Sequence, residues 1–346
     1  MLRTALSVSA LLSIACSFAS CTSEATTTPA PDWRTPPLGL APVEAQFMVP
    51  EDNPLSDAKI ALGKQLFFDK RLSSDGSTSC QSCHYHDLGW SNGERFSKKV
   101  GGAMNTRNSP TLYNLAYHDK LYWDGRAPSL EANIGAAWKG HMNGGEDTQA
   151  RADDIGKLEG YASQFQEVFG AAPTSENVAM ALASFVRSLR SGNSAWDQYE
   201  KTKDASLVSE DAIAGHKLFM GKAGCVACHV PPLYTDRMFH AVGVGEKADV
   251  GRGKIEPDNE LMQGAFKTPT LRNVEKSGPY FHDGSVADLR EVVHIMASGG
   301  GDAGHFPKKD PLLIDRKLSD QEIDQLVAFL KTLNSDEPCP EPKLPE

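Results

Sequence analysis

The sequence predicts a mainly α-helical chain built as two similar lobes, with extended irregular loops around each lobe's working end. Three observations predict it. The run Cys-Gln-Ser-Cys-His at 80–84 returns as Cys-Val-Ala-Cys-His at 225–229. Each copy is led in by a segment with helical apolar spacing, and no long alternating strand pattern is evident in the rest of the chain.

The lead-in segments align. AKIALGKQLFFDKRLSSDGSTSCQSCH precedes the first histidine and EDAIAGHKLFMGKAGCVACH the second, so that Gly63 falls on Gly215, Leu66 on Leu218 and Phe67 on Phe219. The first copy has seven more residues between its glycine and its first cysteine. Ala58, Leu62 and Leu66 make one apolar side in the first, as Ala212, Leu218 and Phe219 do in the second. Two further helices are predicted. SENVAMALASFVRSLRSG places Val178, Leu182, Phe185 and Leu189 on one stripe, and LSDQEIDQLVAFLKTLN opens with Ser319 as cap and Glu322 three residues on.

The ends read differently. Residues 1–20 form an export signal: one arginine, then a run of small and apolar residues too short for a membrane span. It ends in Phe-Ala-Ser-Cys, which leaves two alternatives: lipid attachment at Cys21, or ordinary cleavage nearby and a soluble periplasmic protein. Residues 21–52 are rich in Thr, Pro and Ala and read as a flexible linker, and 336–346 read as a flexible tail. Between them lie an N-terminal domain at 53–204 and a C-terminal domain at 205–335. The formal charge of −10 argues against nucleic acid as a partner and is compatible with a basic donor protein.

Of seven cysteines, Cys16 and Cys21 belong to the export region and Cys339 to the tail. The other four stand in the two Cys-x-x-Cys-His units. Two thiols followed at once by histidine is the spacing that fastens a c-type haem: Cys80, Cys83 and His84 for one, Cys225, Cys228 and His229 for the other. A thioredoxin-like redox disulfide would not need the histidine twice, and zinc would need more ligands at tight spacing. The predicted lobes are therefore cytochrome c-like haem domains. Each histidine takes one axial position. What stands opposite decides function: a second protein ligand makes an electron carrier, whereas an open position admits a small oxidant.

The stretches RNSPTLYN, YWDGRAPSLE, FKTPTLRNV and GPYFHDGSVADL resemble those of the bacterial di-haem cytochrome c peroxidase and MauG superfamily, and the resemblance runs from about residue 54 to 335. It implies two covalently bound haem c groups and one calcium ion. The C-terminal haem would transfer electrons, with a second ligand seventeen residues past Pro279, which is Met296. In the segment itself Met296 also suits a helix core beside Val292 and Val293, and Met262 and His294 compete. The N-terminal haem would be the peroxidatic one. Many members carry a histidine in the loop before the RNSPT segment, but 94–106 holds none, which implies an open site with Gly101, Gly102, Ala103 and Met104 as an apolar cover.

The family's distal glutamate falls where this chain has His141, in a segment two residues shorter. His141 is read as a proton shuttle titrating near neutrality, with iron ligation or no role as alternatives. Asn133 matches a distal glutamine that orients peroxide. Trp123 matches a tryptophan that passes electrons between haems; a core aromatic is the plainer reading. Calcium would be held by the Asn108 side chain and the backbone oxygens of Ser277 and Pro279. The resemblance implies reduction of hydrogen peroxide with electrons from a small cytochrome or copper protein. A MauG-like oxidation of tryptophan or tyrosine in a partner protein is the alternative, and a pure electron carrier the third reading. Family members are often dimers, so a homodimer is also implied.

Overall fold

The computed structural model describes Met1 and residues 33–245, 248–302, 308–335 and 338–346. The export segment and Cys21 lie outside the described residues. The fold is mainly helical, as expected. From Trp33 to Glu346 the chain is one compact unit. Its helices are α1 (Asp57–Phe68), α2 (Leu130–Ala137), α3 (Gln149–Gly156), α4 (Glu159–Phe169), α5 (Ser175–Ser188), α6 (Ala195–Thr202), α7 (Glu210–Met220), α8 (Leu289–Ala297) and α9 (Asp320–Lys331). Strands β1 (Phe239–Ala241) and β2 (Ala265–Lys267) form a short antiparallel pair with Phe239 opposite Lys267. Among the described residues no helix is long and apolar enough to cross a membrane.

Two apolar clusters organise the unit. One gathers around Leu62, Leu66, Phe67, Trp90 and Phe185, the other around Phe219, Tyr234, Leu326 and Phe329. Each is built on a pair of crossed helices. α1 starts at Ser56, whose hydroxyl accepts from the Lys59 N–H at 3.2 Å, and α7 starts at Ser209, which caps Ala212 at 3.1 Å. A Cβ on Gly63 would stand 1.9 Å from the Ala181 carbonyl oxygen of α5; a Cβ on Gly215 would stand 1.9 Å from the Gln325 carbonyl oxygen of α9. The repeated glycine therefore lets two helix backbones touch. One turn on, Phe67 meets Phe185 edge-on at 5.2 Å between centroids, and Phe219 meets Phe329 at 5.2 Å. The predicted capping box at Ser319 and Glu322 closes the start of α9 in both directions.

The correspondence continues past the helices. Trp90 and Tyr234 both take left-handed backbone angles, with φ of 60° and 54°. Each packs edge-on against its lobe's phenylalanine, Phe67 at 5.6 Å and Phe219 at 5.9 Å. Further on, the halves exchange backbone hydrogen bonds. The Asn108 N–H donates to the His282 carbonyl at 2.7 Å, and the Lys267 N–H donates to the Trp123 carbonyl at 2.8 Å.

Composition misleads at the edges. The linker expected through residue 52 is packed from Trp33 on. Leu40 and Val43 are buried with Tyr117 and Leu233, and Arg190 donates to the carbonyls of Trp33 and Thr35 at 2.7 Å each. Few apolar side chains suffice here because a buried guanidinium collects the free carbonyls of a proline-rich segment. The expected flexible tail also docks: Cys339 packs on the first cluster, and Arg71 donates to the Pro345 carbonyl at 2.8 Å.

Gly63→Ala and Gly215→Ala each force apart two helix backbones. Each is expected to cost about 1–3 kcal/mol or more, the range of an overpacked core. A lowered denaturation midpoint in the haem-loaded protein checks it; midpoints equal to wild type would mean that the crossings have slack.

Candidate functional site

Both Cys-x-x-Cys-His runs fold as tight turns. The Cys83 N–H donates to the Cys80 carbonyl at 3.1 Å, and the His229 N–H to the Cys225 carbonyl at 2.9 Å. The turn holds the two thiols and the imidazole within five consecutive residues. His84 then points its Nδ1 at the Trp90 carbonyl at 2.7 Å, and His229 its Nδ1 at the Tyr234 carbonyl at 2.9 Å. An acceptor on Nδ1 fixes that nitrogen as the N–H and leaves Nε2 as the free lone pair, the arrangement that orients a metal-binding imidazole. The left-handed backbone at Trp90 and Tyr234 is what turns each carbonyl toward its histidine.

All five described cysteines are unpaired. Burial pushes the Cys80 thiol up to about 12 and the Cys225 thiol up to about 11, so both stay S–H at neutral pH. Buried protonated thiols are poor zinc ligands and sluggish redox nucleophiles. Thiol pairs of this kind fit addition to the vinyl groups of haem.

A cavity of about 1220 Å³ opens beside His84, larger than a small-molecule pocket needs. It joins Cys83, His84, Asn108, Trp123, Asn133 and His141, residues separated by up to 58 positions in the chain (141 less 83). Asn133, Ala137 and His141 reach it from one helical face at i, i+4, i+8 spacing. The face runs through α2 into a π-helical turn at Trp138–Met142, a form often found at working sites. Trp138 anchors that turn by donating from Nε1 to the Leu72 carbonyl at 2.8 Å.

His141 is not poised near neutrality, as its residue type suggested. Burial, then the Lys99 charge, the neighbouring His84 and the Arg126 charge, push it down to about 4, and the His84 share is absent while that imidazole is neutral. At pH 7 it is a neutral acceptor. Trp123 is tied on both sides: its Nε1 donates to the Asn108 carbonyl at 2.9 Å and its carbonyl accepts from Lys267. Of the expected apolar cover only Met104 lines the cavity; Gly101, Gly102 and Ala103 are exposed at the tip of a narrow loop.

Other expected residues lie elsewhere. Cys80 faces the first core, with its S–H 3.9 Å from the Met142 sulfur. Cys225, Cys228, His229, Met296, Ser277 and Pro279 do not line this cavity. Met296 is half-buried in the last turn of α8, and beyond that helix the Gly301 N–H donates at 2.9 Å to the carbonyl of Val242, the residue after β1. The Asn108 amide nitrogen donates to the Glu94 carbonyl at 2.9 Å, which leaves its amide oxygen to serve a hard cation.

Titratable cavity residues to which the sequence reading gave no role include His118, Lys267 and His282. His282 is 3% exposed, stacks on Phe266 at 3.5 Å, and its Nε2 has no protein partner. Extending the repeat would have found it: Trp123-Asp124-Gly125 matches His282-Asp283-Gly284. Tyr122 and Phe281 before them share φ of 65°.

Beside the second attachment turn, Cys228, Asp236 and His240 form a cluster of metal-ligating types. Both His240 nitrogens are taken, Nδ1 by Asp310 at 2.7 Å and Nε2 by Asp236 at 2.9 Å. With both ring nitrogens facing carboxylates, the group is an imidazolium clamp rather than an open metal site. Asp236 chiefly, then Cys228 and Asp310, raise His240 to about 11 from an ordinary 6.5; the Cys228 share disappears once its sulfur is a thioether. A raised folded-state value stabilises the fold fully below pH 6.5, and that support fades as pH climbs toward the folded value.

Two cytochrome c-like lobes, each with a haem-attachment turn, define a covalent di-haem protein. The di-haem cytochrome c peroxidase family model matches residues 57–205, and a cytochrome c model matches 212–334. The chain is 37% identical over 350 residues to cytochrome-c peroxidase IdrP1 of Denitromonas iodatirespirans, covering 91% of each. It is 39% identical over 311 residues to methylamine utilization protein MauG of Methylorubrum extorquens, covering 86% of each. Its fold matches the crystal structure of a MauG-like protein associated with microbial copper homeostasis, with a TM-score of 0.75, 29% identity, and coverage of 89% of this chain and 95% of that one. The chain belongs to the bacterial di-haem cytochrome c peroxidase and MauG superfamily. It is an oxidoreductase whose cofactors are haem c.

Asp310→Asn weakens the His240 clamp. Its loss of melting temperature relative to wild type is expected to be largest below pH 6.5 and to shrink as pH rises above it. A pH-independent difference in thermal melts would show that Asp310 acts through packing alone.

Proposed function

We propose that the chain reduces hydrogen peroxide to water at the domain spanning 53–204, using electrons that an external cytochrome or copper protein delivers to the domain spanning 205–335. The observation that carries this reading is the single cavity that joins His84 with Trp123, Asn133 and His141. Haem bound at both turns supplies the redox-active irons and, on the open one, the site at which peroxide is activated. His84 and His229 would each give Nε2 to an iron. Met296 would give a thioether to the second, closing it and raising its potential.

The chain's own groups then divide the work. Asn133 orients peroxide by hydrogen bonding. His141, neutral at pH 7, accepts a proton from the peroxide and returns it to the leaving oxygen. Trp123, tied to both halves, relays electrons. Asn108 with the backbone oxygens of Ser277 and Pro279 would hold one calcium between the halves; hard oxygen donors suit that ion. A periplasmic setting agrees with covalent haem attachment and with the export-like start of the sequence. Lipid attachment at Cys21 and a homodimer belong to the same reading.

A MauG-like oxidation of aromatic residues in a partner protein is the second reading. The histidine-free loop at 94–106 favours it, since such a loop leaves the cavity ready for oxidant in the fully oxidised protein.

Three measurements test these assignments. Diferric protein mixed with peroxide in stopped flow is expected to react without prior reduction; a reaction that begins only after one haem is reduced would refute the open site. His141→Ala is expected to lower kcat/KM for peroxide ~100-fold or more, the usual share of a positioned acid–base group. Retained turnover across pH 5–8 would remove His141 from the mechanism. Met296→His is expected to keep both haems and lower the potential of the C-terminal one, and an unchanged potential would exclude Met296 as ligand.

A further inference from the structure

Lys267 ends β2 and reaches into the cavity from the C-terminal half. It is 9% exposed. Its Nζ donates to the Lys120 carbonyl at 3.0 Å and faces the His118 Nδ1 at 3.5 Å. Among the described residues no carboxylate oxygen lies within 4.0 Å of it. The nearest acidic influence is Asp119, which is exposed. Its surroundings add positive charge: both Lys267 and Arg237 suppress protonation of the buried His118.

The other cations on this cavity are held by carboxylates or reach solvent, Lys99 being only half-buried. Arg107 is held by Asp249 and Asp124, Arg126 by Asp124, and Lys254 is exposed. Lys267 is thus the buried cavity cation left without a protein anion. A buried charge in that state is strongly unfavourable unless a counter-ion arrives, and burial does pull its pKa down to about 8. The cofactor itself carries carboxylates on its propionate arms.

We infer that Lys267 is the buried counter-charge for a propionate of the haem seated against this cavity, and that it sets that haem's potential. The inference rests on the reading that a haem is fastened at Cys80 and Cys83. The same residue holds the Trp123 carbonyl through its backbone N–H. It therefore fixes a propionate arm and the tryptophan from one position. A cation here compensates the propionate; without it, the uncompensated negative charge favours the ferric over the ferrous iron.

The test is a spectroelectrochemical titration of both haems in the matured protein at pH 7. Lys267→Met is expected to shift the oxidised-to-reduced ratio of one haem at least tenfold toward oxidised at fixed potential, a midpoint lowered by about 59 mV for one electron. Lys267→Arg, which keeps the charge, is expected to stay within twofold, as is Lys254→Met, which removes an exposed cation from the same cavity. Unmoved midpoints in Lys267→Met would overturn the assignment, and so would an equal shift in Lys254→Met. If the methionine variant does not mature, Lys267→Gln is read by the same criteria. Haem stoichiometry and peptide mass analysis of the wild type separate the two failures: an empty Cys80–Cys83 turn would overturn the underlying reading, whereas two attached haems with unmoved midpoints would overturn the role of Lys267 alone.

Discussion

The close crossing of two helices at a glycine is the contact on which each lobe depends. Backbone touching backbone at Gly63 places Phe67 against Phe185, and Phe67 supports Trp90. Trp90, in its left-handed turn, aims its carbonyl at His84. The second lobe repeats each link through Gly215, Phe219, Phe329, Tyr234 and His229. The imidazole's orientation is thus transmitted from a packing event several residues away. Helix propensity contributes little to this, because the segments are short and steric fit sets the geometry.

Above that shared base the halves diverge, and the divergence carries the chemistry. Matching positions hold Asn108 and Lys267, whose N–H groups donate across to the opposite half. Matching positions also hold Trp123 and His282 on one cavity. An indole and an imidazole differ in what they can pass, an electron from a π system against a proton from a ring nitrogen. An amide and an ammonium differ in charge. Duplicated architecture with unlike side chains at equivalent places is a direct route to two haem environments in one chain.

Much of this was legible in the residues. Helical periodicity gave the segments that pair in each lobe and the repeat aligned Gly63 with Gly215, though only the fold shows that the helices touch there, and the Cys-x-x-Cys-His runs marked the attachment turns. Asn133, His141, Trp123 and His84, each named from the sequence, line one cavity. What remained hidden depends on long-range packing. Burial of His141 among cations, which makes it neutral, has no local signature. Lys267 reads as an ordinary solvated lysine until the other half closes over it. The segment before residue 53 looks like a tether because its few anchors are satisfied by a distant arginine, Arg190.

The π turn at Trp138–Met142 has its own consequence. A π turn accommodates one residue more than the α-helix around it. Each residue of α-helix advances the side-chain direction by about 100°, at 3.6 residues per turn. In an uninterrupted α-helix the eighth residue after Asn133 would stand about 80° around from it; the wider π turn takes up that offset and keeps His141 on the Asn133 side of the cavity. The backbone form of that segment therefore places the imidazole in the cavity as much as the residue type does.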